Sequence, residues 1–294
     1  MSAYVITIAT LIAIYAIVAC GLNIIVGYAG QISLGHAAFF GIGAYTAALF
    51  ATKAGLSFWY ALPCVLVITG LVGLLLGLPS LRVRHDFLAI TTIGINFIVE
   101  AVFLYIPFFG GALGIGGIPQ VTLFGLVLKG IGFFWLCTGF LILSLAVCWW
   151  FTRCWAGMAC FALREEEEAA AGLGISPVRF KLLAFVTGTA MAGLGGALYA
   201  HYMRFISATD FSFPVSISLL SMVVVGGMGT LWGPVLGALI LSALPELFRP
   251  LVDYRILFTT TLLLLMIRFQ PGGLLGETGF LRSQVAARRR GGRP

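Results

Sequence analysis

The chain has 294 residues, of which 61% are hydrophobic and 9% are charged, and its formal net charge is +7. Because soluble domains carry about 25% charged residues, this composition excludes a soluble fold and predicts an integral membrane protein. Five of the arginines follow the last apolar stretch, between Arg282 and Arg293. They predict a basic cytoplasmic tail at 282–294, in contact with membrane lipid, and no nucleic-acid partner.

Apolar stretches that can span a membrane recur along the chain. A span needs about 20 apolar residues, and in lipid the backbone must satisfy its own hydrogen bonds, so each stretch is expected to be a helix. The clear spans are Tyr4–Val26, Phe58–Leu78, Phe87–Phe108, Phe133–Phe151 and Leu182–Met203. The shorter or weaker ones are Leu34–Ala51, Pro214–Gly226, Gly233–Phe248 and Tyr254–Ile267. The sequence therefore predicts an all-α, polytopic membrane domain over 1–281 with eight or nine transmembrane helices.

The distribution of lysine and arginine predicts the orientation of these spans. Arg82 and Arg84 mark one cytoplasmic loop, the polar segment 153–181 marks a second, and the basic tail marks a third. The segment between Gly110 and Gly132 carries one basic residue and many glycines, so it is predicted to lie outside. Counting back from the first loop places the N-terminus outside.

Glycine interrupts two of the apolar stretches in a related way. The first glycine break, Ile25–His36, holds Val-Gly followed by Gly30 and Gly35. The second glycine break, Val224–Pro234, holds Val-Gly followed by two more glycines at similar spacing. Such pairs in the two halves of a membrane protein indicate a transporter built from related halves, with broken helices around a cavity. Loops or closely packed glycine faces are the alternative, and the residues leave both open.

The longest polar interruption among the spans lies between Ala162 and Phe185. Small residues follow the acidic run Glu165–Glu168, a glycine at 174 can end a helix with positive φ, and Ser176-Pro177 can start the next one. We interpret 153–181 as a cytoplasmic coupling segment whose short helix docks on a soluble ATPase partner. A solvated acidic face is the alternative. The candidate coupling residues are Arg164, Glu165, Ala169, Ala170, Gly172 and Gly174.

Polar side chains inside the apolar stretches are candidates for a translocation pathway. Glu100 is the only acid deep inside a clear span, and Asn96 lies one turn before it. A structural hydrogen bond to a neighbouring helix is the alternative for Glu100. Gln31, Ser33 and His36 lie at the first glycine break, where they either serve the pathway or cap the following helix. The full candidate set is Asn23, Gln31, Ser33, His36, Asn96, Glu100, Gly226, Gly227 and Gly229.

Cysteine and histidine patterns indicate no metal site. The six cysteines are scattered without a Cys-x-x-Cys pair, so they are expected to act as small hydrophobic residues. His36 has no second histidine, cysteine or carboxylate close to it in the sequence.

Five segments resemble, in order, the motifs of one family, the branched-chain amino acid ABC transporter permeases of the LivM type. Gly21–Tyr45 resembles their first signature, and Leu81–Ile90 resembles their Leu-Arg-x-Arg-Gly-x-Tyr-Leu-Ala-Ile loop. Arg164–Phe185 is similar to their coupling segment, and Gly226–Pro234 to their late glycine motif. Phe269–Gly276 resembles their closing Phe-x-Pro-x-Gly-Leu-x-Gly.

Three departures from the family pattern stand out. His85 occupies a position where the family usually has glycine, and Glu165–Glu168 is more acidic than the usual Arg-Glu-Asn-Glu. The segment 110–119 also lacks a clean Thr-Gly-Gly-Pro-Asn-Gly loop. These departures concern the substrate more than the class of transporter.

The resemblance implies a permease subunit of an ATP-driven importer for branched-chain or related amino acids, in the bacterial cytoplasmic (inner) membrane. It implies two cytoplasmic ATP-binding subunits that bind ATP and Mg, a related second permease as heterodimer partner, and an extracytoplasmic substrate-binding protein. It implies no catalysis by this chain and no cofactor on it. Permeases for urea or short amides are similar, so they remain an alternative.

The source of energy separates this function from its competitors. The chain has no Gly-x-x-x-x-Gly-Lys-Ser/Thr motif for nucleotide binding, so energy must come from a partner or an ion gradient. An ion-coupled secondary transporter is the alternative, although it would normally need several buried acids and Glu100 stands alone. A membrane enzyme would need converging catalytic groups, whereas the three histidines lie far apart.

Overall fold

The computed structural model describes residues 3–80, 85–123, 125–247 and 272–276, together with Thr261, Leu264 and Arg268. The side chains at 79–80, 85–87 and 244–247 are not part of that description. Three predicted features lie outside the described residues: the loop arginines Arg82 and Arg84, most of the span Tyr254–Ile267, and the basic tail 282–294.

Helices form most of the described chain. In chain order they are α1 Ala3–Asn23, α2 His36–Thr52, α3 Phe58–Ser80, α4 His85–Tyr105, α5 Ile131–Arg153, α6 Trp155–Glu165, α7 Glu167–Gly172, α8 Pro177–Met203, α9 Phe213–Gly226 and α10 Gly233–Leu247. A π-helical turn, Ile24–Tyr28, continues α1. Short 3-10 turns occupy Pro107–Phe109, Gly111–Leu113 and Ala208–Phe211.

Among the described residues, four strands of two residues each accompany the helices. β1 Ile115–Gly116 pairs antiparallel with β4 Phe205–Ile206, and β2 Thr122–Leu123 pairs antiparallel with β3 Leu126–Val127. Strands this short carry no period-2 pattern, so they could not be predicted from the sequence.

Six helical stretches among the described residues are long and apolar enough to cross a membrane. They are Tyr4–Tyr28, Phe58–Leu78, Leu88–Tyr105, Ile131–Arg153, Pro177–Met203 and Ala208–Gly226. Two shorter apolar helices, α2 and α10, do not reach that length. The protein is therefore a mostly helical, polytopic membrane protein, as predicted. The predicted count of eight or nine crossings exceeds the six that meet this criterion.

α8 lies at the centre of the bundle, packed by α1, α2 and α3. Glycines allow these helices to approach closely. A Cβ added to Gly43 would lie 2.4 Å from the Cα of Gly193, and one added to Gly21 would lie 2.5 Å from the carbonyl oxygen of Gly188. Small residues at helix contacts are the usual means of close packing in lipid, which explains part of the high glycine content.

The bundle has two distinct ends. At one end β1 pairs with β4, and Trp59 donates a hydrogen bond to the Thr122 carbonyl at 2.9 Å. The coupling segment and both glycine breaks lie at the other end. α5 joins the two ends with 23 residues, or about 34 Å. The segment predicted to lie outside and the segment predicted to be cytoplasmic are thus on opposite ends.

Candidate coupling site and glycine junction

The two glycine breaks contact each other through Asn23. This side chain is 1% exposed at the end of α1. Its Oδ1 accepts a hydrogen bond from the Gly229 N–H at 2.9 Å, and its Nδ2 donates to the Thr230 carbonyl at 2.9 Å. Asn23 therefore satisfies two backbone groups of the second break. We call this contact, formed by Asn23, Gly27, Gly229 and Thr230, the glycine junction.

Close backbone packing explains the glycines of the junction. A Cβ on Gly27 would lie 2.4 Å from the Gly229 nitrogen and 2.1 Å from the Asn23 Oδ1. Gly229 has a φ of +73°, which favours glycine whatever the space. A side chain at either position would push the two breaks apart.

Arg164, in the last turn of α6, reaches the glycine junction from the coupling segment. Its Nη1 donates a hydrogen bond to the Gly27 carbonyl, 137 residues away in the sequence. A Cβ on Gly229 would lie 2.9 Å from the same Nη1. Gly30, with a φ of +68°, leaves room for the Arg164 stem, because a Cβ there would lie 2.9 Å from Cγ. One side chain of the coupling segment thus touches both breaks.

The end of the described chain packs on the second break. Leu274 and Leu275 donate backbone hydrogen bonds to the Val225 and Gly226 carbonyls at 3.0 and 3.1 Å. Gly227 has a φ of +120°, and a Cβ on it would lie 2.9 Å from the Gly276 nitrogen. The predicted pathway glycines Gly226, Gly227 and Gly229 therefore all lie in close backbone packing. Both breaks are connections between separate helices, and the role of their glycines in a pathway stays a prediction.

Three polar side chains of the first break are buried and have few hydrogen-bond partners among the described residues. Gln31, Ser33 and His36 are each at most 1% exposed. Among the described residues, the Gln31 amide atoms, the Ser33 hydroxyl and both His36 ring nitrogens have no hydrogen bond that meets the geometric criteria. The His36 ring lies near the Val18 carbonyl. The residue that caps α2 is Gly35, with no side-chain hydrogen bond, so the capping alternative is wrong.

A hydrogen-bond network with other helices, rather than a side-chain cap, stabilises the start of α2. Ser216 on α9 accepts a hydrogen bond from the Ala37 N–H at 2.9 Å, and its hydroxyl donates to the Asn96 Oδ1 at 3.1 Å. Asn96 in turn donates to the Phe211 carbonyl at 3.4 Å. The predicted pathway residue Asn96 thus links α4, α9 and the start of α2.

Glu100 does not join this network. Its side chain is half-buried on α4, and no described residue forms a hydrogen bond or salt bridge with it. Asn96 and Glu100 thus lie one turn apart on α4, but of the two only Asn96 forms hydrogen bonds to other described helices. The role of each stays a prediction.

The coupling segment folds as a short exposed helix. Glu166 leaves the helical region, and α7 follows it. Gly174 has a φ of +86°, its N–H bonds to the Ala171 carbonyl at 2.9 Å, and the Ile175 N–H bonds to the Ala170 carbonyl at 3.2 Å. This pattern is a Schellman ending. The predicted helix and its glycine ending are confirmed, and α8 begins at Pro177 as predicted.

A salt bridge anchors α7 to the central helix. The Lys181 Nζ lies 2.6 Å from the Glu167 carboxylate, and the lysine side chain is only 7% exposed. The other candidate positions differ in exposure, since Ala170 is buried while Glu165, Ala169 and Gly172 are exposed. Leu173, at the tip, is 84% exposed. The N-terminal end of α7 is therefore anchored to α8, and its C-terminal end is exposed.

A cleft of about 540 Å³ lies between the coupling segment and the first break. Its lining residues are Ala29, Gly30, Ile32, Leu163 and 164–168. The four glutamates of the acidic run are therefore among the residues that line this cleft.

The part of the chain that the structure describes contains no cluster of side chains that could bind a metal ion. No group of three or more histidine, cysteine, aspartate or glutamate side chains gathers there. The six cysteines are free thiols. Burial raises the pKa of the Cys160 thiol, outside the spans, to about 12, so it stays neutral and packs as a small apolar group.

Sequence reasoning missed Ser216, Thr230 and the pairing of Glu167 with Lys181. A serine inside an apolar helix, such as Ser216, is a usable signal because buried hydroxyls need partners. The Glu167–Lys181 contact joins two helices across the connection 173–176, so the spacing of residues within one helix gives no signal for it.

Comparison with known proteins identifies the family. The family model described as branched-chain amino acid transport system, permease component, matches residues 4–269. The high-affinity branched-chain amino acid transport system permease protein LivM of Escherichia coli is 38% identical over 92% of this chain and 70% of its own length. The corresponding protein of Salmonella typhimurium matches to the same extent.

More distant relatives agree. The probable branched-chain amino acid transport permease protein LivM of Methanocaldococcus jannaschii is 25% identical over 90% of this chain and 91% of its own length. LivH of Escherichia coli is 30% identical over 49% of this chain and 46% of its own length. No solved structure shows a significant match. The chain belongs to the family of permease components of branched-chain amino acid transport systems.

Proposed function

We propose that the chain is one membrane permease subunit of an ATP-driven importer for branched-chain amino acids. As a permease component it is a transport subunit and not an enzyme. The observation that carries the proposal is the path from the exposed α7 through Arg164 to the glycine junction. A soluble partner that binds α7 is therefore connected to the membrane helices through Arg164.

The proposed topology has nine crossings, with the N-terminus outside and the coupling segment in the cytoplasm. It counts α1–α5, α8, α9 and α10, and adds the predicted span Tyr254–Ile267. α2 and α10 have 17 and 15 residues, or about 26 and 23 Å, which is less than the ~30 Å of a hydrocarbon core. If their outer ends reach the interface, both breaks lie within the membrane. The membrane is the cytoplasmic (inner) membrane of a bacterium.

The proposed partners follow from the exposed coupling segment and from the relatives. Two cytoplasmic ATP-binding subunits would hold ATP and Mg and dock on α7, and this chain would bind no cofactor. The match to LivH supports a second, related permease as heterodimer partner. A substrate-binding protein would deliver the amino acid to the end that carries β1 and β4.

The proposed pathway runs beside the first break. Leaving buried polar atoms unpaired costs about 1–3 kcal/mol each, so a group of them indicates bound water or a polar solute. Gln31, Ser33 and His36 offer donors and acceptors for the ammonium and carboxylate groups of an amino acid. Asn96 and Asn23 support the backbone around them.

Transport by the complete complex in proteoliposomes tests the function. The chain is reconstituted with its second permease, both ATPases and the binding protein, and uptake of leucine and of urea is measured with and without ATP. We expect ATP-dependent leucine uptake that an ionophore does not abolish. Uptake of urea instead of leucine would refute the substrate. Leucine uptake that needs an ion gradient and no ATPase would refute the class of transporter.

A further inference from the structure

The Arg164 side chain is exposed as a whole, but its guanidinium contacts the glycine junction although four glutamates follow it in the sequence. Among the described residues it forms no salt bridge with the acidic run and instead donates to the Gly27 carbonyl. We propose that Arg164 is a positioning residue, through which displacement of α7 moves both glycine breaks together. This inference rests on the proposed function, and it differs from the sequence-based expectation that Arg164 contacts the ATPase.

Arg164 contacts the first break at the C-terminal end of a helix. Gly27 lies in the π-helical turn that ends α1, where the last carbonyls lack partners within the helix. A cation is favoured at this position because it both satisfies a carbonyl and complements the helix dipole. π-helical turns are rare and occur frequently at functional sites. Arg164 therefore contacts α1 at its irregular C-terminal turn.

Arg164 can contact the second break because residue 229 is a glycine, which has no side chain. Gly229 lies against the Arg164 Nη1, and its N–H is held by Asn23. Movement of the guanidinium thus disturbs the Gly27 carbonyl and the Gly229 backbone at once. The junction has no spare room, because a Cβ on Gly229 would lie 3.1 Å from the Gly27 carbonyl oxygen.

The connection to the partner-facing side is short. Arg164 lies in the last turn of α6, and Glu166 alone separates α6 from α7. A force on the exposed tip at Leu173 is therefore passed to Arg164 through the six residues of α7 and one extended residue.

The test compares Arg164→Gln, Arg164→Lys and the control Lys129→Gln, an exposed basic residue outside the coupling segment. Each variant is purified as the complete complex and reconstituted, and both leucine uptake and ATP hydrolysis are measured. We expect Arg164→Gln to keep its ATPases but to transport at least about tenfold less leucine per ATP, equivalent to about 1.4 kcal/mol. Arg164→Lys, which keeps one charged donor, is expected to recover part of the ratio, and Lys129→Gln to match the wild type.

Two results overturn the inference alone. One is a wild-type ratio of leucine to ATP in Arg164→Gln. The other is loss of the ATPases from the purified complex, which would make Arg164 a partner contact. If Arg164→Gln fails to reach the membrane, Arg164→Lys decides, since a wild-type ratio there overturns the inference and a lowered one supports it. A wild-type complex that hydrolyses ATP without uptake overturns the proposed function as well.

Discussion

At the residue scale, Gln31 offers a test that separates function from stability. It is fully buried, and neither atom of its amide has a partner among the described residues. Replacing such a group by an apolar one of similar size removes a desolvation cost of about 1–3 kcal/mol. We expect Gln31→Leu to raise the melting temperature of the purified protein and to lower leucine uptake. Thermal unfolding in detergent and uptake assays measure the two effects.

Ser144→Ala is the matched control for Gln31→Leu. The Ser144 hydroxyl is also buried and without a described partner, but it lies on α5, away from both glycine breaks. It is expected to gain stability without losing uptake. Normal uptake by Gln31→Leu would show that this amide has no role in the pathway.

Ser216 is predicted to stabilise the meeting point of three helices. Ser216→Ala leaves the Ala37 N–H without its acceptor and the Asn96 Oδ1 without its donor. The free energy of unfolding is expected to fall by about 1–3 kcal/mol, because both groups are buried. The measurement is unfolding in detergent by denaturant.

Ser218→Ala is the control, two residues further along α9. Its hydroxyl bonds only to the Pro214 carbonyl of its own helix. We expect little change in stability. An equal loss of stability in Ser216→Ala and Ser218→Ala would contradict the importance of the network.

At the element scale, the sequence predicted the helices well where hydrophobicity alone decides. The predicted span Leu182–Met203 corresponds to α8, and Pro214–Gly226 corresponds to α9 with one residue of difference at its start. A span starts and stops where polar or helix-breaking residues begin, so local composition determines its bounds. The predicted end of the first span, Val26, missed the π-helical turn that continues to Tyr28.

The contacts between elements could not be predicted in the same way. The glycine pattern suggested two related breaks, but nothing local shows that Asn23 joins them or that Arg164 reaches Gly27. These contacts join residues more than 100 positions apart, and they depend on how the whole bundle packs. Only the glycines indicated these contacts in the sequence, because a backbone that lies close to Asn23 and Arg164 leaves no room for a side chain.

Gly172 provides a test of α7 as a docking element. It lies in the helix and is exposed, and an added Cβ would meet no atom within 4 Å. The chain itself therefore tolerates Gly172→Leu. We expect normal amounts in the membrane but reduced leucine uptake, because the added side chain would block a surface that meets the ATPase. Gly174 is less suitable because its φ of +86° strains any other residue.

Gly139→Leu is the control for Gly172→Leu. Gly139 is also helical and exposed with nothing within 4 Å, but it lies on the span α5. Uptake is expected to stay near the wild-type level. Full uptake by Gly172→Leu would contradict docking through this part of α7.

At the scale of the whole molecule, the proposed function depends on which end of the bundle faces the cytoplasm. Leu173 at the tip of α7 is 84% exposed, and Leu113 at the opposite end is 86% exposed. Single cysteines at these positions report the orientation to a thiol reagent that does not cross membranes. We expect intact cells to label Leu113→Cys, and inverted vesicles to label Leu173→Cys. Labelling of Leu173→Cys in intact cells would contradict the proposed topology.

Crosslinking tests most directly the claim that ATP energy enters this chain at α7. A short crosslinker joins Leu173→Cys to nearby proteins in membranes that contain the whole transport system, with Leu113→Cys as the matched control. The account predicts a product that contains the ATPase subunit from Leu173→Cys and none from Leu113→Cys. An ATPase product from Leu113→Cys, or its absence from Leu173→Cys in a complex that is actively transporting leucine, would contradict it.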